Sequence, residues 1–289
     1  MKVLVLGGNG FIGRHAVKQL KQSGVDVTIG SRNSTGSDRI PVKQLKLEEL
    51  TNENDWKDIT SQYDVVLNCV GILRQRPGEK YEDVHHLAPK AISCACADSN
   101  TRFVHVSALG LSLTAKSRFL TSKFKGEQAI KQSTCDWAIV RPSLLDGDGG
   151  FGAEWLRGVS KLPLFIIPSS ATGKIAALTV EDAGIALARL CTQDAKTLNL
   201  EHSRIFELGG LKTYTFESYI RGLRSRYTNK RSVAIPIPGW IARAGAHLFD
   251  LVHFSPFSFG HWELLCSDNI PEENRLPELL GRTPTKVIE

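Results

Sequence analysis

The chain contains no uninterrupted run of about 20 apolar residues, so hydropathy offers no membrane-spanning helix. It has no low-complexity tract and no internal repeat, which argues against a disordered tether and against a solenoid. Close cysteine pairs are nearly absent too. Of six cysteines only Cys94 and Cys96 are near neighbours, in an Ala/Cys-rich run of helical pattern where positions two apart face different ways. Neither a metal chelate nor a disulfide is expected there; free buried thiols in a reducing cytosol are. The carboxylates Asp146, Asp148 and Glu154 come without a histidine beside them, and no metal site is expected. The first apolar run starts at the second residue, so neither a signal nor a transit peptide is expected. A cytoplasmic protein, with peripheral contact at the inner face of a membrane as the alternative, is the resulting expectation.

With 289 residues, 42% of them apolar and 23% charged, the chain can bury a core as one large domain or two unequal ones. The net charge of +6 comes from Lys and Arg spread along the chain, with a local cluster at Arg221, Arg224, Arg226, Lys230 and Arg231. That pattern fits a solvated face and a site for a phosphate-rich ligand better than a nucleic-acid groove, and no nucleic acid is expected.

What is present begins at residue 2. Val3, Leu4, Val5 and Leu6 form the kind of run that a parallel sheet buries on both faces. Gly7, Gly10 and Gly13 follow at G-x-x-G-x-x-G spacing around Phe11 and Ile12, and Ala16, Val17 and Leu20 then recur at helical spacing up to Gly24. Residues without a Cβ let a backbone approach a pyrophosphate, while the open N–H groups and dipole of a helix start favour its charge. A dinucleotide is the expected ligand.

The second strand, 25–30, ends where such a fold meets the adenosine ribose. An acid there would accept from the 2′-hydroxyl and repel a 2′-phosphate; Ser31 and Arg32 stand there instead, which points to NADP(H) over NAD(H). Residues 33–38 read as a turn-rich loop. Further strands are expected at 41–47, 64–71, 103–107 and 137–142, with helices at 48–61 and 81–98 between them. The strand 64–71 ends in Val70 and Gly71, suited to a backbone passing under the cofactor. Alternation of this kind predicts an α/β fold, a doubly wound parallel sheet with a small C-terminal α/β lobe. The domains are expected at 1–150, binding the dinucleotide, and 151–289, a mixed substrate or partner lobe, with core strands returning around 175–210.

The glycine turn, Asn68-Cys69-Val70-Gly71, Ser107 after Phe103-Val104-His105-Val106, the segment Ser117 to Glu127 and Arg141-Pro142-Ser143 together resemble an atypical or extended short-chain dehydrogenase/reductase, of the NAD-dependent epimerase/dehydratase type. The resemblance implies that Lys123 holds the nicotinamide ribose, that Ser107 helps hold the substrate oxygen and that Pro142 lies beside the nicotinamide. It also implies a tyrosine four residues before the lysine as acid or base, and here that position is Phe119. Phenylalanine has no ionisable hydroxyl, so the family's proton relay cannot pass through it. Thr121, Ser122, Tyr81, His85 and His105 are individually weak substitutes.

Later segments carry a second likeness. Residues 176–190 open with Thr179, Glu181 and Asp182, a helix start, and 215–227 has an amphipathic pattern. Ile235-Pro236-Ile237-Pro238, the apolar helix 240–252, Ser255-Pro256-Phe257, the closing run Leu276 to Gly281 and Thr283-Pro284 are similar to bacterial homologues of the NADPH-binding accessory subunit of respiratory complex I. In this tail Trp240, Phe249, Phe254, Phe257, Phe259 and Trp262 interleave with His247, His253 and His261. They could meet a protein partner or a bilayer surface, or pack as a lid over the cofactor lobe, which is the favoured reading. The function expected is NADP(H) binding in a structural, sensing or electron-transport-accessory role. The alternative is a slow or adapted NADPH-dependent oxidoreductase or epimerase acting on a small carbonyl or a sugar-nucleotide-like substrate.

Overall fold

A seven-stranded parallel sheet organises the chain, in a computed structural model that describes residues 1–33, 40–112, 114–252 and 258–288. Its strands are β1 (Lys2–Leu6), β2 (Asp26–Ser31), β3 (Val42–Gln44), β4 (Val65–Asn68), β5 (Arg102–Val106), β6 (Trp137–Pro142) and the edge strand Ile205–Leu208. In space they run β3, β2, β1, β4, β5, β6 and then Ile205–Leu208, so the order reverses between β1 and β4. That reversal is the switch point where open α/β sheets hold their ligands. The fold is a Rossmann-like doubly wound sheet, longer than the first six expected strands because Phe206 returns to pair beside β6. Residues 205–208 therefore belong to the main sheet.

Two-residue periodicity decides which face each side chain covers. On β1, Val3 and Val5 join the core under α1 (Phe11–Gln22), while Leu4 and Leu6 join the opposite core under α2 (Asn54–Thr60) and α3 (Ala88–Ser99). The helix expected over 48–61 is shorter, starting only at Asn54. A π-helical turn, Glu82–Leu87, leads directly into α3. Against it packs α4 (Arg118–Gln132), so closely that a Cβ on Gly126 would lie 2.0 Å from the His85 carbonyl oxygen. All six cysteines are free, Cys94 and Cys96 included.

After β6 come β7 (Leu145–Asp146), α5 (Phe151–Ser160), β8 (Leu164–Pro168), β9 (Lys174–Ile175), β10 (Leu178–Thr179) and α6 (Val180–Thr192), which packs on α1. The strand Ile205–Leu208 is β11; β12 (Tyr214–Thr215), α7 (Phe216–Ser225), β13 (Val233–Ile237), α8 (Gly239–Val252), α9 (Phe259–Leu265) and α10 (Leu276–Leu280) complete the chain. A separate core of Phe165, Ile167, Tyr219, Ile220, Leu223 and Ile288 holds the small lobe together. β8 and β13 pair in parallel, Val233 beside Leu164 and Ile235 beside Ile166, and the outward side chains of these four are all exposed. None of the described helices is long and apolar enough to cross a membrane.

Candidate dinucleotide and substrate site

The turn between β1 and α1 is built on glycine for two separate reasons. Gly7 has a φ of +72°, in the left-handed region, and donates its N–H to Gly30 O at 2.8 Å. Gly13 has no such dihedral; it is pressed against the turn, and a Cβ there would stand 2.2 Å from the Gly7 carbonyl oxygen. Gly10 occupies the N-cap of α1 with no side-chain cap, so the first-turn N–H groups of Phe11 and Ile12 are open to an anion. The Phe11 ring is covered by the loop after β7: Cβ atoms placed on Gly147 or Gly150 would touch it. Within that loop Asp146 pairs with Arg157 at 3.0 Å and Arg226 at 3.5 Å, Asp148 pairs with Arg157, and Glu154 accepts from Gly149 N–H. Charge pairing and capping thus account for these three carboxylates. Among the described residues no group of three could hold a metal ion.

At the end expected to meet the adenosine, Ser31 closes β2 and Arg32 follows it. The Arg32 guanidinium pairs with the nearly buried Glu79 at 2.5 Å, a carboxylate that arrives from 47 residues away. Sequence reasoning missed it, and no local pattern could have found it. The end of β2 carries no acid at Ser31 or Arg32, but an acid, Glu79, stands in the space beside it. Of the turn-rich loop 33–38, only residue 33 lies within the described residues.

At the end expected to take the nicotinamide stand five sequence-predicted residues, Val70, Gly71, Ser107, Lys123 and Pro142. Gly71 is exposed at the end of the β4 segment, and its missing side chain leaves Lys123 Nζ and His85 Nε2 on that side, 3.7 and 3.9 Å from where a Cβ would lie. Val70 N–H donates to Asn68 Oδ1 at 3.0 Å, fixing the strand end beside Gly7. Lys123 is buried, and its ammonium has no hydrogen-bond or carboxylate partner among the described residues. Burial brings its pKa down to about 8, opposed by Glu127. Ser107 Oγ is likewise buried and has no partner in hydrogen-bond geometry among the described residues, although it is near enough to Glu127 to help hold that carboxyl down. Two unsatisfied polar groups at the mouth of a glycine-lined cleft fit a ribose and an amide that would satisfy them. Pro142 ends β6, and Ser143 after it donates to Asn269 O at 2.6 Å, tying this turn to the C-terminal segment.

Glu127 lies four residues after Lys123, on the same helix face, and is fully buried. Burial opposes its ionisation, but the two-pronged contact from Arg141, at 2.9 and 2.5 Å, outweighs it and keeps the carboxyl below its usual range. The spacing was visible in the sequence; its significance depends on Arg141.

Phe119 is buried beside Lys123, whose ammonium lies 5.8 Å from its ring centroid. Tyr81 and His85 meet the ring edge-on, at 5.8 and 5.6 Å, and His261 stacks on it at 5.6 Å. Of the weak proton donors, Tyr81, His85 and Ser122 are gathered here. Each is engaged. The Tyr81 hydroxyl donates to Leu73 O at 2.8 Å, and His85 Nε2 accepts from Ile72 N–H at 3.0 Å, which leaves its proton on Nδ1 facing Ser122 Oγ at 3.1 Å. Burial first, then Lys123, holds His85 well below its ordinary pKa. His105 sits deeper in β5, against Asn68 Nδ2 at 3.2 Å, and is pushed down to about 3 by the same two causes in the same order. Thr121 donates to Ser117 O, away from this group.

Of the tail aromatics, Phe259 and Trp262 turn inward. Phe259 stacks on His247 and Trp262, Trp262 Nε1 donates to Ser170 Oγ, and Gly260 touches Phe119. Phe259 and Trp262 thus pack against their own lobe, whereas Trp240 is 73% exposed. His253, Phe254 and Phe257, with the run 255–257, lie outside the described residues, as does the side chain of Phe249. A cavity of about 310 Å³ remains between Phe259, Phe119 and Tyr81.

This geometry agrees with the comparison of sequences: a family described as NAD(P)H-binding matches residues 7–160. The chain belongs to that family. Over 279 residues, 92% of this chain and 68% of the relative, it is 26% identical to the Arabidopsis thaliana protein named NADH dehydrogenase [ubiquinone] 1 alpha subcomplex subunit 9, mitochondrial. It is 27% identical to a ceramide reductase of Caulobacter vibrioides, with 84% of this chain and 76% of that one aligned. A nucleoside-diphosphate-sugar epimerase structure from Staphylococcus aureus superposes with a TM-score of 0.76, over 99% of this chain and 98% of that one, at 16% identity, a likeness of fold. The chain is thus similar in sequence to a complex I subunit and to a reductase, and in fold to an epimerase.

Proposed function

We propose that the protein binds NADP(H) across the Gly7 to Gly13 turn and holds it as a structural or sensing ligand in a role accessory to electron transport, without using it for steady hydride transfer. The observation that carries this reading is Phe119 packed beside Lys123. Lys123 retains every donor it needs for a ribose, while no hydroxyl stands at the position from which a proton would pass. The bound cofactor would supply hydride chemistry; the chain's part is to seat the pyrophosphate on α1, the adenosine end at Ser31 and Arg32, and the ribose on Lys123. Titration of the purified protein with NADPH is expected to give saturable binding, and a panel of carbonyl and sugar-nucleotide substrates no turnover. Phe119→Tyr is expected to leave that result unchanged. A rise in turnover of about 10²- to 10⁴-fold in this variant, the usual worth of a general acid, would overturn the proposal in favour of an adapted enzyme.

The second reading, a slow NADPH-dependent oxidoreductase or epimerase, is favoured by the position of Tyr81, which borders the cavity and touches the Phe119 ring. Steady NADPH oxidation abolished by Tyr81→Phe would support it.

For the cofactor, the exposed Arg32 supports NADP(H), and Glu79 tempers the preference because a 2′-phosphate must compete with it for the guanidinium. Arg32→Ala is expected to weaken NADPH about tenfold and NADH much less, whereas Glu79→Gln should tighten NADPH. Equal losses for both dinucleotides in Arg32→Ala would refute this assignment. An accessory role also needs a docking face. The exposed aliphatic pairs of β8 and β13, with Trp240, support a protein partner at or near a membrane surface, and a cytoplasmic location follows from that reading.

A further inference from the structure

We propose that the outward face of the β8 and β13 ribbon docks on an anionic lipid bilayer, its aliphatic side chains entering the surface while a basic end meets the headgroups. The inference deepens the accessory reading and rests on it for a setting near a membrane. Of the two surfaces that such a face can meet, a protein's or the membrane's own, the observations favour the membrane's. Alternation along the strands separates two faces. Phe165 and Ile167 point into the core of the small lobe, whereas Leu164, Ile166, Val233 and Ile235 point away from it and are 42 to 63% exposed. Because the strands pair in parallel, Val233 beside Leu164 and Ile235 beside Ile166, the four make one contiguous block. A block of this kind left open marks a contact surface. At the start of the ribbon the exposed Tyr227 ring lies under the Lys161 ammonium, 4.8 Å from its centroid, and beyond the end of β13 stands the exposed Trp240. Tyr and Trp are the side chains that settle at the level of lipid headgroups.

The charge along this ribbon is of one sign. Segments 158–180 and 218–249, which supply both strands and their flanks, contain no Asp and no Glu. The buried Arg224 donates to the carbonyl oxygens of Lys161 and Leu162, at 2.7 and 2.8 Å, and to that of Lys230 at 2.8 Å, so it holds the starts of the two strands together. Lys161, Lys230 and Arg231 are thereby gathered at one end of the aliphatic block, all three exposed. Arg221 and Arg226 nearby pair with Glu217 and Asp146, but these three have no carboxylate partner among the described residues. A second copy of the chain would bring the same charge to the contact and be repelled, whereas an anionic bilayer attracts it. The block itself consists of Leu, Ile and Val, while contacts between proteins centre on aromatic residues and Arg. Aliphatic surface joined to a basic end and flanked by Tyr and Trp is the composition of an interfacial membrane contact.

The test is co-sedimentation of the full chain with phosphatidylcholine vesicles, with and without about a third of phosphatidylglycerol. Affinity for the anionic vesicles is expected to exceed that for the neutral ones by at least about tenfold, and to fall as salt is added. Lys230→Gln/Arg231→Gln is expected to lower it about tenfold, and Ile166→Thr/Ile235→Thr, which keeps β-branched side chains in both strands, by a similar factor. Absence of binding to the anionic vesicles, or binding that either double variant leaves unchanged, overturns the proposal. Light scattering without vesicles then says what replaces it: a dimer dissolved by Ile166→Thr/Ile235→Thr assigns the face to a second copy, and a monomer that ignores vesicles assigns it to a different protein. Urea unfolding verifies both variants, and the glutamine pair decides alone if the threonine pair does not fold. NADPH titration and turnover assays on the same samples report separately on the accessory reading. Vesicle binding together with steady NADPH turnover sinks that reading and leaves the lipid face standing, whereas NADPH binding with neither turnover nor vesicle binding does the reverse.

Discussion

Gly13→Ala should abolish dinucleotide binding at any practical concentration, a loss of at least about 100-fold in affinity, and destabilise the fold by about 2 to 3 kcal/mol. The single methyl group would lie 2.2 Å from the Gly7 carbonyl oxygen and 2.9 Å from the Gly8 Cα. Both are backbone atoms, and neither can turn aside as a side chain could. Relief requires α1 to retreat from the turn, which withdraws the open N–H groups of Phe11 and Ile12 from the pyrophosphate. Gly152, near the start of α5, provides the comparison, since nothing lies within 4 Å of its would-be Cβ. The same substitution there should leave binding intact and add slightly to stability. NADPH titration and urea unfolding of the two variants separate these outcomes; equal behaviour would refute the account of the turn.

The second large effect is a loss of stability in mild acid. His105 is buried, and its folded pKa is about 3, well under the value near 6.5 that it regains on unfolding. Between those values the unfolded chain binds more protons than the folded one, so stability rises with pH across the window and is lost as pH falls below about 6.5. By pH 5 this one ring costs about 2 kcal/mol, a large share of the 5 to 15 typical of a domain. His85, depressed chiefly by burial and then by Lys123, acts in the same direction. So does His261, brought down to about 4 by burial and then Arg74, although its partly exposed ring makes its share smaller. The urea midpoint should therefore fall steeply between pH 7.5 and pH 5. A flat profile would mean that these rings can take up protons without unfolding.

How far the residues announced this arrangement depends on how local the information was. The glycine turn was legible because its strand, turn and helix are contiguous, and the spacing from Gly7 to Gly13 is itself the geometry. Lys123, Ser107 and the departure at Phe119 were legible through family resemblance. The pairing of Arg32 was not: Glu79 reaches it from a different connection, and no periodicity links positions 32 and 79. The tail shows another limit. Alternating aromatic and histidine residues describe an amphipathic segment equally well whether it faces water, a partner or its own lobe, and it takes contacts such as those of Gly260 and His261 with Phe119 to say where each residue lies. The place of the seventh strand beside β6 depends on a long return path that local pattern does not encode.

That return path has a consequence for how the chain is made. β6 leaves the ribosome well before β11, and everything from β7 to α6 must emerge in between. Throughout that interval the edge of Ile139 and Val140 that will meet β11 has no neighbour, and for the first part of it Leu187 and Leu190 of α6 are not yet available to cover the sheet. An open, aliphatic strand edge is a template for pairing with other chains. The nascent protein therefore passes through its most adhesive state with the cofactor turn already synthesised, and a chain cut after the matched region at residue 160 would be held permanently in that state.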